Sequence, residues 1–223
     1  MNSLKTFLFL FLVFFLIEQC SRDKATIAGF ESQTSSDTSI VVRKPNIYIY
    51  PEEKIDLKIE VSFPFGGKII TSEPAYTSLG WDITVDTSGL INNAYQYLFY
   101  ECEIPNHFQT KNGWKVPQKN LNNFLHESLI KFGLNEMEIY DFVEYWVPKL
   151  NDFEYYLIFP QKKEIINQMI HLNFSKEPKK LQRMFYLFKG INKNYDAKIN
   201  PPQYSLVNRN GYTIIEWGGM ISK

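Results

Sequence analysis

Leu121-Asn-Asn-Phe-Leu-His-Glu-Ser-Leu-Ile-Lys-Phe-Gly-Leu-Asn-Glu-Met-Glu-Ile-Tyr-Asp-Phe-Val-Glu-Tyr-Trp-Val-Pro148 is the stretch that separates this chain from an all-β protein. Leu121, Phe124, Leu125, Leu129 and Phe132 recur at the spacing of one helix face. Gly133 followed by Leu134 is a C-terminal helix stop. Asn135 then opens a second helix, and Glu138 three residues on makes a variant capping box with Asn as the cap. Ile139, Phe142, Val143 and Trp146 line its apolar face, and Pro148 ends it. The short turn between the two predicts a helical hairpin.

Outward from the hairpin the period changes to two. Ile55, Leu57, Ile59 and Val61 alternate with Asp56, Lys58, Glu60 and Ser62, which predicts a strand with one wet face. Pro64-Phe-Gly-Gly67 turns the chain, and Trp81, Ile83 and Val85 alternate in the same way before a turn at Thr87-Ser-Gly89. Tyr95 to Glu101 is apolar or aromatic on both faces and reads as a buried strand. Phe153 to Phe159, Ile170 to Phe174, Gln182 to Phe188 and Tyr212 to Trp217 are further strand candidates. The expected class is α+β: a mostly antiparallel β-sandwich or curled sheet with an inserted two-helix hairpin packed on one side.

Several segments resemble, in order, an uncharacterised bacterial domain family. Lys44-Pro-Asn-Ile-Tyr-Ile-Tyr-Pro-Glu52 is similar to its opening KPVIYLYPE, and Tyr97-Leu-Phe-Tyr-Glu101 to its YLFWE. Gly133-Leu-Asn135, Asp141-Phe142 and Tyr145-Trp-Val-Pro148 resemble its GLN…DFIVYWLP, and Arg183-Met-Phe185 its RVFM. Tyr212-Thr-Ile-Ile-Glu-Trp-Gly-Gly219 resembles its closing FTVVEWGG. Tyr100 departs from the tryptophan of that pattern, and Glu144 from an apolar position. The resemblance implies a domain over about residues 44 to 219 and implies no activity.

The N-terminus has the organisation of an export signal. Lys5 precedes an apolar run from Thr6 to Ile17, too short to cross a bilayer, which takes about 18 apolar residues or more. Cys20 follows directly, as in a lipoprotein, although Glu18 and Gln19 stand where small residues are usual. The expected organisation is a signal peptide over 1–19, a lipidated Cys20 with a flexible tether over 20–43, and one globular domain over 44–223. The polar segment from Ser21 to about residue 42 is expected to be dispensable for folding. The lipid makes the membrane the first partner, and Ser21 is compatible with outer-membrane sorting. Without lipidation the protein would be periplasmic or secreted.

Composition narrows function more by exclusion than by indication. The 24 basic and 24 acidic residues balance, which gives no electrostatic case for nucleic acid. Cys102 is the only cysteine beyond Cys20, so no disulfide framework exists, and its strand context predicts a buried thiol. No phosphate loop, dinucleotide fingerprint or nucleophile elbow is present, and no cofactor is expected. His126-Glu-Ser-Leu-Ile130 lacks the second histidine of the zinc helix motif, so no metal site is assigned. His107, after Glu101 and Glu103, has no recognised ligand spacing, and His171 reads as a solvent-facing strand residue.

What remains is carboxylates among aromatics. Glu101 and Glu216 are candidate catalytic residues for a glycan-directed hydrolase, because paired carboxylates cleave glycosidic bonds. The alternative is structural, with Arg183 and Lys44 as candidate ion-pair partners. Trp114, in Lys-Asn-Gly-Trp-Lys, is expected in a loop and is the candidate binding residue for a glycan or a partner protein. The leading expectation is a lipid-anchored envelope protein with a non-enzymatic binding or structural domain.

Overall fold

A computed structural model describes residues 39–192, 199–202 and 209–222. Cys20, the export signal and most of the expected tether lie outside the described residues. The domain has three layers: a three-stranded sheet, a seven-stranded sheet, and a helical hairpin. The chain order is β1 Ser39–Tyr50, β2 Ile55–Ser62, β3 Lys68–Glu73, β4 Trp81–Val85, β5 Leu98–Pro105 and β6 Trp114–Pro117. It continues with α1 Leu121–Lys131, α2 Glu136–Trp146, β7 Tyr155–Gln161, α3 Lys163–Met169, β8 His171–Phe174, β9 Lys180–Ile191 and β10 Thr213–Ser222. The large sheet runs β3-β5-β1-β10-β9-β7-β6 and the small one β4-β2-β8. Every pairing is antiparallel except β9 with β10, which is parallel. The α+β sandwich with its hairpin on one side is therefore the architecture.

Alternation explains the layers. Leu57, Ile59, Trp81 and Ile83 from the small sheet meet Ile47, Ile49, Tyr100, Phe185 and Ile214 from the large one, forming the core between the sheets. The opposite face of the large sheet presents Tyr48, Met184, Tyr186, Ile215 and Trp217 to Leu125, Leu129, Phe142 and Trp146 of the hairpin. Two cores on two faces make the central strand β10 buried over Thr213–Met220. Gly219 belongs to this packing: a Cβ there would stand 2.5 Å from Cζ2 of Trp146. The capping box is present, with Asn135 Oδ1 accepting from Glu138 N at 2.9 Å and Glu138 Oε2 accepting from Asn135 N at 2.9 Å.

The structure departs from the sequence reading in several places. Folded chain begins by Ser39 rather than near Lys44, since Ser39–Val42 pair with Cys102–Pro105 of β5, and Ile40 and Val42 are buried. A bulge between Arg43 and Asn46, with Lys44 at φ 54°, conceals this from a pattern search. It switches the parity of β1, so that Val42 faces the small sheet and Asn46, Tyr48 and Tyr50 face the hairpin. The strand expected at Tyr95 begins only at Leu98, because Asn92 and Asn93 adopt left-handed conformations in the turn before it. Trp114, expected in a loop, sits on edge strand β6. β1, β3, β6 and α3 were not among the expected elements.

A chain beginning at Val42 is accordingly expected to be less stable than one beginning at Ser21, by about 2–4 kcal/mol for the lost burial of Ile40 and the strand end. Thermal melting should show a drop of roughly 5–15 °C. Equal melting would mean that Ser39–Val41 contribute nothing to the fold.

Candidate functional site

Glu216 lies in the core between the two sheets, with no exposed surface. Its β9 neighbour in register is Arg183, whose guanidinium Nε donates to Glu216 Oε2. Tyr100 from β5 donates its hydroxyl to Glu216 Oε1 at 2.7 Å. Arg183 Nη1 also donates to Asn167 Oδ1 at 2.9 Å and to the Ile170 carbonyl at 2.5 Å, so the pair ties α3 and its exit to the large sheet. Burial pulls the Arg183 pKa down, but the charge and hydrogen bond of Glu216 outweigh it, and the net shift is upward. Burial first, and then Glu216, pushes the Tyr100 phenol and the Cys102 thiol up. These groups stay in their resting protonation states. Cys102 is the buried, reduced thiol expected of it.

Glu101 occupies the opposite face of the sheet. It accepts from the Tyr145 hydroxyl of α2 at 3.1 Å and pairs with Arg43 at 3.6 Å. Burial and then the charge of Glu101 push Tyr145 up to about 12. Lys44, expected as an ion-pair partner for a carboxylate, turns its ammonium over rings: 4.4 Å from the Phe99 centroid and 5.0 Å from Tyr97, with Tyr97 Oη at 3.4 Å. Asn46, Tyr48 and Asp141 continue this polar seam under the hairpin, Asn46 Nδ2 donating to Tyr48 Oη at 3.3 Å and Tyr48 to Asp141 at 2.7 Å. Asn46 Oδ1 and the indole nitrogens of Trp146 and Trp217 are buried without hydrogen-bond partners. The seam joins the first, second, third and last of the segments quoted above; their sequence separation hid its assembly.

The structure does not bring the two candidate catalytic carboxylates together. Glu101 and Glu216 stand on opposite faces of one sheet, and each is held by basic and phenolic partners. They line no common cleft, which removes the two-carboxylate geometry a glycosidase needs. Among the described residues, no three His, Cys, Asp or Glu side chains converge as metal ligands. His126 lies partly exposed on α1, 3.6 Å from Glu136, and His107 and His171 are exposed.

Trp114 remains as a binding candidate in a different setting. Its half-buried ring meets Phe124 edge-on at 5.2 Å and lies 6.2 Å from Tyr186. It lines a groove of about 560 Å³ between β6 and α1, with Phe124, Asn120, Asn123 and Glu127 among the walls. The groove thus combines aromatic surface with amide and carboxylate groups able to hydrogen-bond hydroxyls.

Comparison with known proteins finds no family model that matches the chain, no curated protein that matches it and no solved structure that matches it.

Proposed function

We propose that this protein is a lipid-anchored bacterial envelope protein whose domain is a non-catalytic binding module, with the Trp114 groove as its ligand surface. The observation that carries the reading is the commitment of Glu101 and Glu216 to separate structural partners on opposite sheet faces. With that pair divided, the groove offers the most coherent recognition chemistry: an indole for stacking, flanked by amides and a carboxylate. Ring stacking beside groups that hydrogen-bond hydroxyls is chemistry that recognises a short glycan, which is the ligand proposed for the groove. Cys20, directly behind the apolar run, supports the anchor, and two acyl chains suffice for stable membrane attachment.

The test joins the two halves. Intact-mass analysis of the membrane fraction should find an acylated chain beginning at Cys20, and Cys20→Ala should release the protein. Titration with soluble glycan fragments should show binding that Trp114→Ala weakens about tenfold or more, as loss of a stacking aromatic does. Unchanged affinity, or glycan cleavage abolished by Glu101→Gln, would overturn the binding-module reading.

A further inference from the structure

The two edges of the large sheet are treated differently. At β6, Gly113 N donates to the Asn200 carbonyl at 2.9 Å, Asn112 bridges to Asn200, and Pro117 ends the strand. At the other edge, β3 pairs inward with β5, and no described residue hydrogen-bonds its outer side. Such an edge is a template for another strand. Ile70 is 51% exposed there.

We propose that the domain self-associates through this edge, two copies pairing β3 with β3 antiparallel across a two-fold axis. The strand reads Lys68-Ile-Ile-Thr-Ser-Glu73. Laid antiparallel on itself about its centre, it sets Lys68 opposite Glu73 of the second copy, twice by symmetry. Lysine and a bulge are ordinary devices for blunting an edge, but here both are self-complementary. Lys68 lies opposite Glu103 and Glu73 opposite Phe99 on β5, with a register shift between Ile69 and Thr71. Glu103 and Phe99 lie on the same face of β5, so the bulge brings Lys68 and Glu73 to one face although five positions separate them. A regular strand would place them on opposite faces and prevent the cross-pairing. The two bulges meet at the axis, so neither strand carries an unmatched residue. Ile70 then packs near Thr71 of the second copy, removing its exposed side chain from water.

One strand edge is a small interface, so the expected dissociation constant is on the order of 0.1 mM. Sedimentation equilibrium of the full chain in density-matched detergent should show a reversible monomer–dimer equilibrium. Lys68→Glu alone creates two like-charge pairs, as does Glu73→Lys alone, and each should weaken association about tenfold. Mixing the two variants restores both opposite-charge pairs, so the mixture should associate as the unmodified chain does. Lys68 also pairs with Glu103 at the surface, and melting curves of each variant separate an effect on folding from one on association. A monomer at every concentration up to about 1 mM would overturn the proposal. So would variants that associate unchanged, or a mixture that fails to recover.

Discussion

Glu216→Gln is expected to destabilise the domain by about 3–5 kcal/mol, the usual cost of removing one partner from a buried ion pair. The substitution keeps the shape of the side chain and leaves the Arg183 guanidinium, with no exposed surface, without its counter-charge. Its other acceptors, Asn167 and the Ile170 carbonyl, are neutral. Arg183→Met should cost a similar amount by stranding the carboxylate, which retains only the Tyr100 hydroxyl. The double variant Arg183→Met with Glu216→Leu should recover most of the loss, because apolar replacement of a buried pair is often neutral. Denaturant unfolding of the three variants decides the matter. Single variants as stable as the parent would show that the pair carries no charge coupling, and would reopen Glu216 as a group held for chemistry.

Hydrogen exchange gives the same prediction a location. The Arg183 contacts reach Asn167 in α3 and the carbonyl of Ile170, so Glu216→Gln should raise exchange in α3 before it does so in the hairpin. The core between the sheets and the core under the hairpin share only the large sheet, and damage to one reaches the other through β9 and β10.

What was legible in the sequence followed from local signals. β2 and β4 have one wet face, so their alternation survives in the residue order. The hairpin carries its own stop and cap at Gly133, Asn135 and Glu138. β3 and α3 escaped because little of either is buried; α3 covers only Ile166 and Met169 fully. β1 escaped because the bulge at Lys44 reverses the alternation that would have revealed it. Glu101 and Glu216 were legible as carboxylates among aromatics, and Arg183 as a partner. Their opposite faces depend on how β5, β1 and β10 register across more than a hundred residues, which no local pattern encodes. Lys44 was read as a partner for a carboxylate, and only the bulge turns it towards Tyr97 and Phe99.

Glu138 shows the same boundary between local and distant information. Its role in the capping box is local, but its carboxylate is fully buried and serves three further donors. Oε1 accepts from the Tyr50 hydroxyl and from Arg209 Nη2, both at 2.6 Å, and Oε2 accepts from Arg209 Nη1 at 3.0 Å. Arg209 also donates to the Gly133 carbonyl at 3.2 Å and stacks 4.9 Å from the centre of the Tyr50 ring. One carboxylate thus joins the start of α2, the end of β1 and the segment entering β10. Glu138→Ala removes the cap, the ion pair and the phenol acceptor together, and is expected to cost about 3–5 kcal/mol. Arg209→Ala should cost less, about 2–3 kcal/mol, because the remaining carboxylate keeps Tyr50 and the Asn135 amide as donors. Glu138→Gln should fall between the parent and the alanine variant, since it keeps one acceptor oxygen and loses the charge. The amides of Asn135 and Glu138 should exchange faster in both Glu138 variants and remain protected in Arg209→Ala. Arg209→Ala as damaging as Glu138→Ala, with exchange at those amides equally raised, would mean that the ion pair rather than the cap holds the hairpin to the sheet.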